Sequence, residues 1–292
     1  MNWTVPARAP FFLPAVVQSH GWAQLPPFRT DPTCTELGRI ERLDSGTVVD
    51  LRVRDAGNGV HVQVDQPLSR SEQEEVTRKV SWMLQLDQDL STFYGLTRDE
   101  PQLAKAESQA RGRILRSPTL FEDVLKTILT TNTSWSGTIR MTEALVSSLG
   151  TPLPSPRDAG PRAFPTPQQL AACDEDFLRR VSKLGYRAPF VLELSRSVSS
   201  GALELEALSV ADLPTAELRK RLLRIKGVGD YAVANLLMLL GRYDFVPIDS
   251  WALTKVSQEW HNGQQVSRAD VDAAFERWGA WRGMAFWLWE WT

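Results

Sequence analysis

The hydrophobic period of this chain changes once, near Pro67, and that change constrains the fold more than any other feature. Before it, Val49, Leu51 and Val53 alternate with Asp50, Arg52 and Arg54, and Val60, Val62 and Val64 alternate with His61 and Gln63. A period of two buries one face of a strand. The turn DAGNG separates these runs and DSG precedes the first, so the spacing predicts a meander of hairpins. Residues 37–43 read as the preceding strand, and 11–18 as a further one that Pro14 confines to an edge or breaks. After Pro67, Ser69 or Ser71 can cap a helix with Glu72, Glu74 and Glu75 in its first turn. Val76, Val80, Met83 and Leu84 then follow at helical spacing.

From about Asp87 the chain reads as helices almost exclusively. Candidates include 101–110, 119–131, 136–149, 188–199, 215–225, 230–240, 250–259 and 268–289. The Pro-rich stretch 151–167 reads as a loop between helices of the same kind. No internal repeat is visible. The fold class expected is α+β, with a β-rich domain over 1–86 and an all-α domain over 87–292.

Bulk composition excludes more than it selects. The chain's 292 residues are 42% hydrophobic and 23% charged, ordinary for a soluble two-domain protein. No apolar run reaches the roughly 18 residues of a membrane helix. The N-terminus lacks a basic leader with an unbroken apolar stretch, so no signal peptide is expected and a cytoplasmic location is. Cys34 and Cys173 are too few for a disulfide framework or a four-cysteine iron–sulfur cluster. The formal charge of −2 does not suggest a polyanion partner, although Arg219, Lys220, Arg221, Arg224 and Lys226 fall within a few residues. Such a run is usually a solvated helix face.

The segment LLRIKGVGDYAVANLLMLLGRYDFVPIDSW (222–251) is the most informative. A helix ends near Ile225, turns through Gly227, Val228 and Gly229, and a second helix starts at Asp230. Glycines on both sides of Val228 allow a tight hairpin whose backbone N–H groups sit at a helix N-terminus, a ready anion site. The next helix begins at Asp249. Taken alone, Gly-Val-Gly is an ordinary inter-helix turn and Asp249 an ordinary N-cap.

The whole segment resembles the helix-hairpin-helix and trailing catalytic aspartate of the DNA glycosylase superfamily that includes endonuclease III, 8-oxoguanine glycosylase and 3-methyladenine glycosylase II. Lys226 stands where that family usually has proline. FEDVLKTILTTNTSW (121–135) resembles the family's early helix, whose final polar residue enters the gap left by a flipped base; Asn132 matches it. LGYRAPFV (184–191) resembles a segment of the 8-oxoguanine and alkylbase branches. There Tyr186 would wedge into the duplex and Arg187 would approach the orphaned base. A second arginine of the 8-oxoguanine branch falls at Gly137, which argues against reading of an opposite cytosine. The N-terminal segment is similar to the TATA-binding-protein-like antiparallel β-sheet domain, with its helix, that precedes the helical domain in these branches.

The resemblance implies double-stranded DNA with a damaged base as partner, no membrane, and action as a monomer. Gly227, Val228 and Gly229 would grip phosphate, and hairpin carbonyls would hold a monovalent cation, with no iron–sulfur cluster. Asp249 would stabilise positive charge on the sugar as the glycosidic bond breaks. Bifunctional relatives carry a lysine nucleophile at the position of Tyr231, so the reaction implied is monofunctional. The base pocket expected is Tyr231, Trp287 and Trp291, the tryptophans being i, i+4 partners in a C-terminal helix; some of the chain's 11 tryptophans must instead be core. An alkylated base is the leading substrate. An oxidised purine and a non-catalytic damage-binding module are the alternatives.

Overall fold

The structure is a computed structural model and describes residues 1–154 and 160–291. Five strands, β1 (Asn2–Pro6), β2 (Phe28–Thr30), β3 (Glu36–Arg42), β4 (Val48–Asp55) and β5 (Gly59–Val64), form one antiparallel sheet in the order β1-β5-β4-β3-β2. The alternating runs are β4 and β5, with Leu51 opposite Val64 and Val53 opposite Val62. The edge strands β1 and β2 are too short to show a period and were not expected. Residues 11–18 are not a strand. They hold a helical turn, α1 (Leu13–Val17), with Pro14 in its first turn, where a missing N–H costs nothing. Asp55 Oδ2 accepts the Leu13 N–H at 2.9 Å.

Helix α2 (Arg70–Leu84) starts from a capping box in which Ser69 Oγ accepts the Glu72 N–H and the Glu72 carboxylate accepts the Ser69 N–H. Its stripe of Val76, Val80, Met83 and Leu84 is buried. Trp3 Nε1, on β1, donates to Thr77 Oγ1 at 3.0 Å.

The chain divides into two compact units. The first, Met1–Gln88 with Arg113–Ala211, joins the sheet, α1 and α2 to α4 (Leu120–Thr130), α5 (Trp135–Leu149), α6 (Pro167–Ala171), α7 (Glu175–Arg180) and α8 (Ala188–Ser199). The second, Asp89–Gly112 with Asp212–Thr292, holds α3 (Ser91–Thr97), α9 (Thr215–Leu223), α10 (Asp230–Leu239), α11 (Ser250–Trp260), α12 (Arg268–Phe275) and α13 (Arg282–Leu288). These units do not follow the boundary expected at residue 86. Residues 101–110 are successive turns, not a helix, since Leu103 and Ala106 bond back three residues. The helix expected over 268–289 is broken by Gly279, whose φ of +52° lies outside the right-handed region. Of the Pro-rich stretch, Leu153 N–H bonds Pro161 O and Ala163 N–H bonds Thr151 O; residues 155–159 lie outside the described residues.

Helix α4 is buried from Leu120 to Leu129, charges included. Lys126 Nζ lies 2.6 Å from Glu122 Oε1, Arg39 Nη2 is 3.0 Å from Glu122 and 2.8 Å from Glu41, and Lys79 bridges Glu41 and Glu75. This chain of ions ties β3, α2 and α4. Its net worth against an apolar core is small, but removing one partner strands a buried charge at a cost of about 3–5 kcal/mol.

On another side of α4, Asp123 Oδ1 accepts Trp22 Nε1 at 2.7 Å and the Ser117 N–H at 2.9 Å. His20 packs on Trp22 at 4.8 Å, and its Nε2 bonds Leu115 O at 2.7 Å. Burial raises the Asp123 carboxyl to about 6 and lowers the His20 imidazole to about 4. The two act on stability with opposite signs. Asp123 contributes most below its unfolded pKa, and that contribution is lost as pH rises through about 6. His20 contributes above 6.5, and that is lost as pH falls toward about 4. Each is worth about 3 kcal/mol at a pKa-to-energy conversion of about 1.4 kcal/mol per unit, so the pair nearly cancels. Relative to wild type, Asp123→Asn should therefore gain stability as pH rises from 4 to 6, and His20→Gln should lose it. Urea unfolding across that range checks this. Variant and wild-type curves that stay parallel would contradict it.

Candidate active site

In the second unit, α9 ends through 3₁₀-type bonds from Ile225 N–H to Leu222 O and from Val228 N–H to Ile225 O, each 3.1 Å. Gly227 has φ +88°, a left-handed conformation that requires glycine. Gly229 differs. Its φ of −97° suits any residue, and a Cβ built on it meets nothing within 4 Å. The fold does not need this glycine, and the backbone here is open to approach from outside. Gly229 is the N-cap of α10 and offers no side-chain acceptor, leaving the first-turn N–H groups without one among the described residues. Lys220, Arg221, Arg224 and Lys226 are exposed nearby in sequence, while Arg219 pairs with Asp230. The Gly227 and Val228 carbonyls accept no hydrogen bond among the described residues, which fits the oxygen ligands a monovalent cation would need.

Helix α10 stops at a left-handed Gly241, with Arg242 N–H bonding Leu237 O at 2.8 Å. The segment that follows is clamped. Tyr243 stacks on Trp281 at 5.3 Å, Gly283 N–H donates to Tyr243 O at 2.7 Å, and Arg282 Nε donates to Asp244 O at 2.7 Å. A Cβ on Gly283 would collide with Phe245 O, so only glycine permits this approach. Val246, Pro247 and Ile248 are then buried, and the chain delivers Asp249.

Asp249 is the N-cap of α11, its Oδ1 accepting the Ala252 N–H at 2.8 Å. Its other oxygen has no partner among the described residues. The cap holds the carboxylate through one oxygen and leaves the other open, so capping does not exclude a chemical role. Tyr231, in the first turn of α10, is 47% exposed. Burial raises its phenol above the ordinary value, the Asp249 charge adds to this, and a hydrogen bond with Asn235 opposes it. The phenol and the carboxylate are therefore electrostatic neighbours.

The aromatic residues sort differently from expectation. Helix α13 ends at Leu288, so Trp287 and Trp291 are not i, i+4 partners on a helix. Trp291 packs against Trp251, Phe286, Trp260 and Phe275 at 5.5–5.9 Å, as part of a cluster around the fully buried Phe275. Trp287 is half-buried on α13. Trp251, two residues past Asp249, is 49% exposed, and Trp260 of the same cluster is exposed too. Sequence reasoning missed Trp251. An apolar residue in the first turn after a capping aspartate was the available signal.

In the first unit, Asn132, Tyr186 and Arg187 come together. Thr131 caps the C-terminus of α4, and Asn132 is exposed with φ +46°, a left-handed conformation that asparagine tolerates. Tyr186 Oη donates to Thr131 O at 3.3 Å, and Arg187 Nη2 donates to Thr131 O and, at 3.3 Å, to Asn132 O. Burial pushes the Tyr186 phenol up, but its bonds to Thr131 and Asn132 and the Arg187 charge outweigh this and hold it below the ordinary value. Tyr186 is 46% exposed and Arg187 only 6%. Arg187 thus does not reach outward as expected; the orphan carbonyls at the end of α4 draw it in. Gly137 is buried, and a Cβ there would collide with Thr133 Oγ1. Among the described residues no three His, Cys, Asp or Glu side chains are grouped to hold a metal ion, and no helix is long and apolar enough to cross a membrane.

Residues 125–280 match the HhH-GPD superfamily of base excision DNA repair proteins. The chain is 23% identical over 230 residues to the DNA-3-methyladenine glycosylase of Bacillus subtilis (strain 168), covering 77% of this chain and 74% of that protein. The 3-methyladenine DNA-glycosylase from Archaeoglobus fulgidus superposes with a TM-score of 0.77 at 21% identity, over 98% of this chain and 97% of that one. The Clostridium acetobutylicum 8-oxoguanine glycosylase/lyase, solved with double-stranded DNA containing cytosine opposite 8-oxoguanine, gives 0.72 at 20% identity, over 99% and 96%. The chain belongs to the HhH-GPD superfamily of base excision DNA repair proteins.

Gly229→Val tests the hairpin reading. The side chain projects into open space at an unstrained φ, so the melting temperature should stay within about 2 °C of wild type, as for a surface substitution. Affinity for every duplex should fall about tenfold, because the side chain blocks backbone approach to phosphate, and should remain strongly salt-dependent. A stability loss with unchanged DNA affinity would mean that Gly229 serves the fold.

Proposed function

We propose that this protein is a monofunctional DNA glycosylase that removes alkylated bases from duplex DNA. The observation that carries this reading is the Asp249 carboxylate, fixed through one oxygen by the Ala252 N–H, with the other oxygen open beside Tyr231. The exposed N–H groups at the start of α10 and the phosphate they would bind position the strand without reading sequence. A base taken out of the stack leaves a gap, which the exposed Asn132 would fill, and Tyr186 would support the break.

In the chemical step the glycosidic C1′–N bond breaks, its electron pair leaves with the base, and positive charge builds on the sugar. Asp249 stabilises that charge electrostatically. Water then supplies oxygen to C1′, and its proton passes to Asp249 as general base. A purine alkylated at N3 or N7 carries positive charge before cleavage and departs neutral, so the reaction needs no added acid. The faces of Tyr231 and Trp251 suit such a cation, through cation–π attraction worth about 0.5–2 kcal/mol each. The names of the Bacillus and Archaeoglobus relatives support this substrate class. A monovalent cation on the Gly227 and Val228 carbonyls would add positive charge next to the bound phosphate.

Tyr231 stands where bifunctional relatives carry a lysine, and a phenol cannot form an imine with C1′. An oxidised purine is the second reading. The Tyr186-Arg187 pair and the likeness to the Clostridium enzyme favour it, while the lack of a side chain at Gly137 weighs against it. Duplexes each carrying one alkylated or oxidised base separate the two. The expected outcome is release of alkylated bases, with the strand cut only after hot alkali and no borohydride-trapped protein–DNA adduct. Trapping of the wild-type protein, or release of 8-oxoguanine alone, would contradict the proposal.

A further inference from the structure

Arg187 is a nearly buried arginine with no carboxylate partner among the described residues. Its Nη2 donates to two successive carbonyls, Thr131 O and Asn132 O, Nη1 reaches only Met141 Sδ at 3.8 Å, and Nε is buried without any acceptor. The guanidinium carbon sits 4.5 Å over the Tyr186 ring. A charge kept from water normally needs an anion. Here the counterpart is the C-terminus of α4, where unpaired carbonyls and the negative end of the helix dipole gather. The two bonded carbonyls flank the one residue of this turn with positive φ, Asn132 at +46°. Clamping both of them restricts the peptide planes on either side of Asn132 and so fixes the direction in which its side chain leaves the surface.

We propose that Arg187 is a positioning residue that pre-sets Asn132 for insertion into DNA and does not itself read the base opposite the lesion. The proposal rests on the assignment of Asn132 to the gap, but not on base release. Nε and Nη1 keep donors, but Arg187 is only 6% exposed, so burial closes them off from an opposite base. Holding Asn132 in advance lowers the ordering cost that a free loop would meet on binding.

The test uses the full-length protein and duplexes with a tetrahydrofuran abasic site opposite A, C, G or T, measuring affinity relative to the intact duplex. Wild type should prefer the abasic duplex, with the same preference for all four opposite bases. Asn132→Ala, Arg187→Met and the double variant should each lose that preference by a similar factor, about tenfold, because one residue acts through the other. Arg187→Lys keeps the charge but can reach only one carbonyl, so its loss should be intermediate and equally blind to the opposite base; it also serves if Arg187→Met does not fold. Additive losses in the double variant, or a loss confined to one opposite base, would overturn the proposal. Wild-type discrimination without base release from any lesion would instead sink the glycosylase assignment and leave the role of Arg187 standing.

Discussion

The proposed chemistry depends on one hydrogen bond, the Ala252 N–H donated to Asp249 Oδ1 at 2.8 Å. It satisfies an orphan donor at the start of α11 and holds the carboxylate by one oxygen, so the other stays available. An aspartate on a free loop would carry the same charge but would spend conformational entropy each time it was aligned. The segment before it is fixed with comparable care. Buried Val246, Pro247 and Ile248 follow a stretch pinned to α13 through Tyr243, Asp244 and Gly283. In the proposed reaction this carboxylate would be a preorganised negative charge beside Tyr231, which is what a developing sugar cation requires.

The first unit solves a different problem with similar means. Helix α4 runs through the core carrying Glu122, Asp123 and Lys126, all buried; Glu122 is answered by Arg39 on β3 and by Lys126 within the helix, and Asp123 by Trp22 and the Ser117 N–H. Such a network adds little net stability, but its geometry tolerates few alternatives. It fixes the helix whose last turn presents Asn132, and Arg187 completes the arrangement at the terminus. Rigid support behind an exposed turn is the common theme of both units.

Much of this was legible in the sequence where local physics decides. Strands β4 and β5 followed from strict alternation, α2 from its capping serine and acidic first turn, and the hairpin from its paired glycines. The parts that escaped depend on tertiary context. Strands β1 and β2 have too few residues to show a period, and Pro14 is as suited to a helix's first turn as to a strand edge. Gly279 interrupts a segment whose apolar spacing otherwise reads as one helix, and α13 stops at Leu288, which removes the basis for pairing Trp287 with Trp291. Composition could not separate tryptophans in the cluster around Phe275 from the exposed Trp251. The inward turn of Arg187 was invisible for a similar reason, since its partners are backbone carbonyls more than fifty residues away.

The central claim is that Asp249 acts by its charge as well as by its cap, and Asp249→Asn separates the two. The amide oxygen still accepts the Ala252 N–H, so α11 and the approach of DNA are preserved, while the negative charge is gone. The direct measurement is single-turnover release of an alkylated base, alongside affinity for an abasic-site duplex. The account predicts a loss of release of about 100-fold or more, the scale on which a preorganised charge contributes, with affinity held within about tenfold. Near-wild-type release by the variant would show that Asp249 is a helix cap alone.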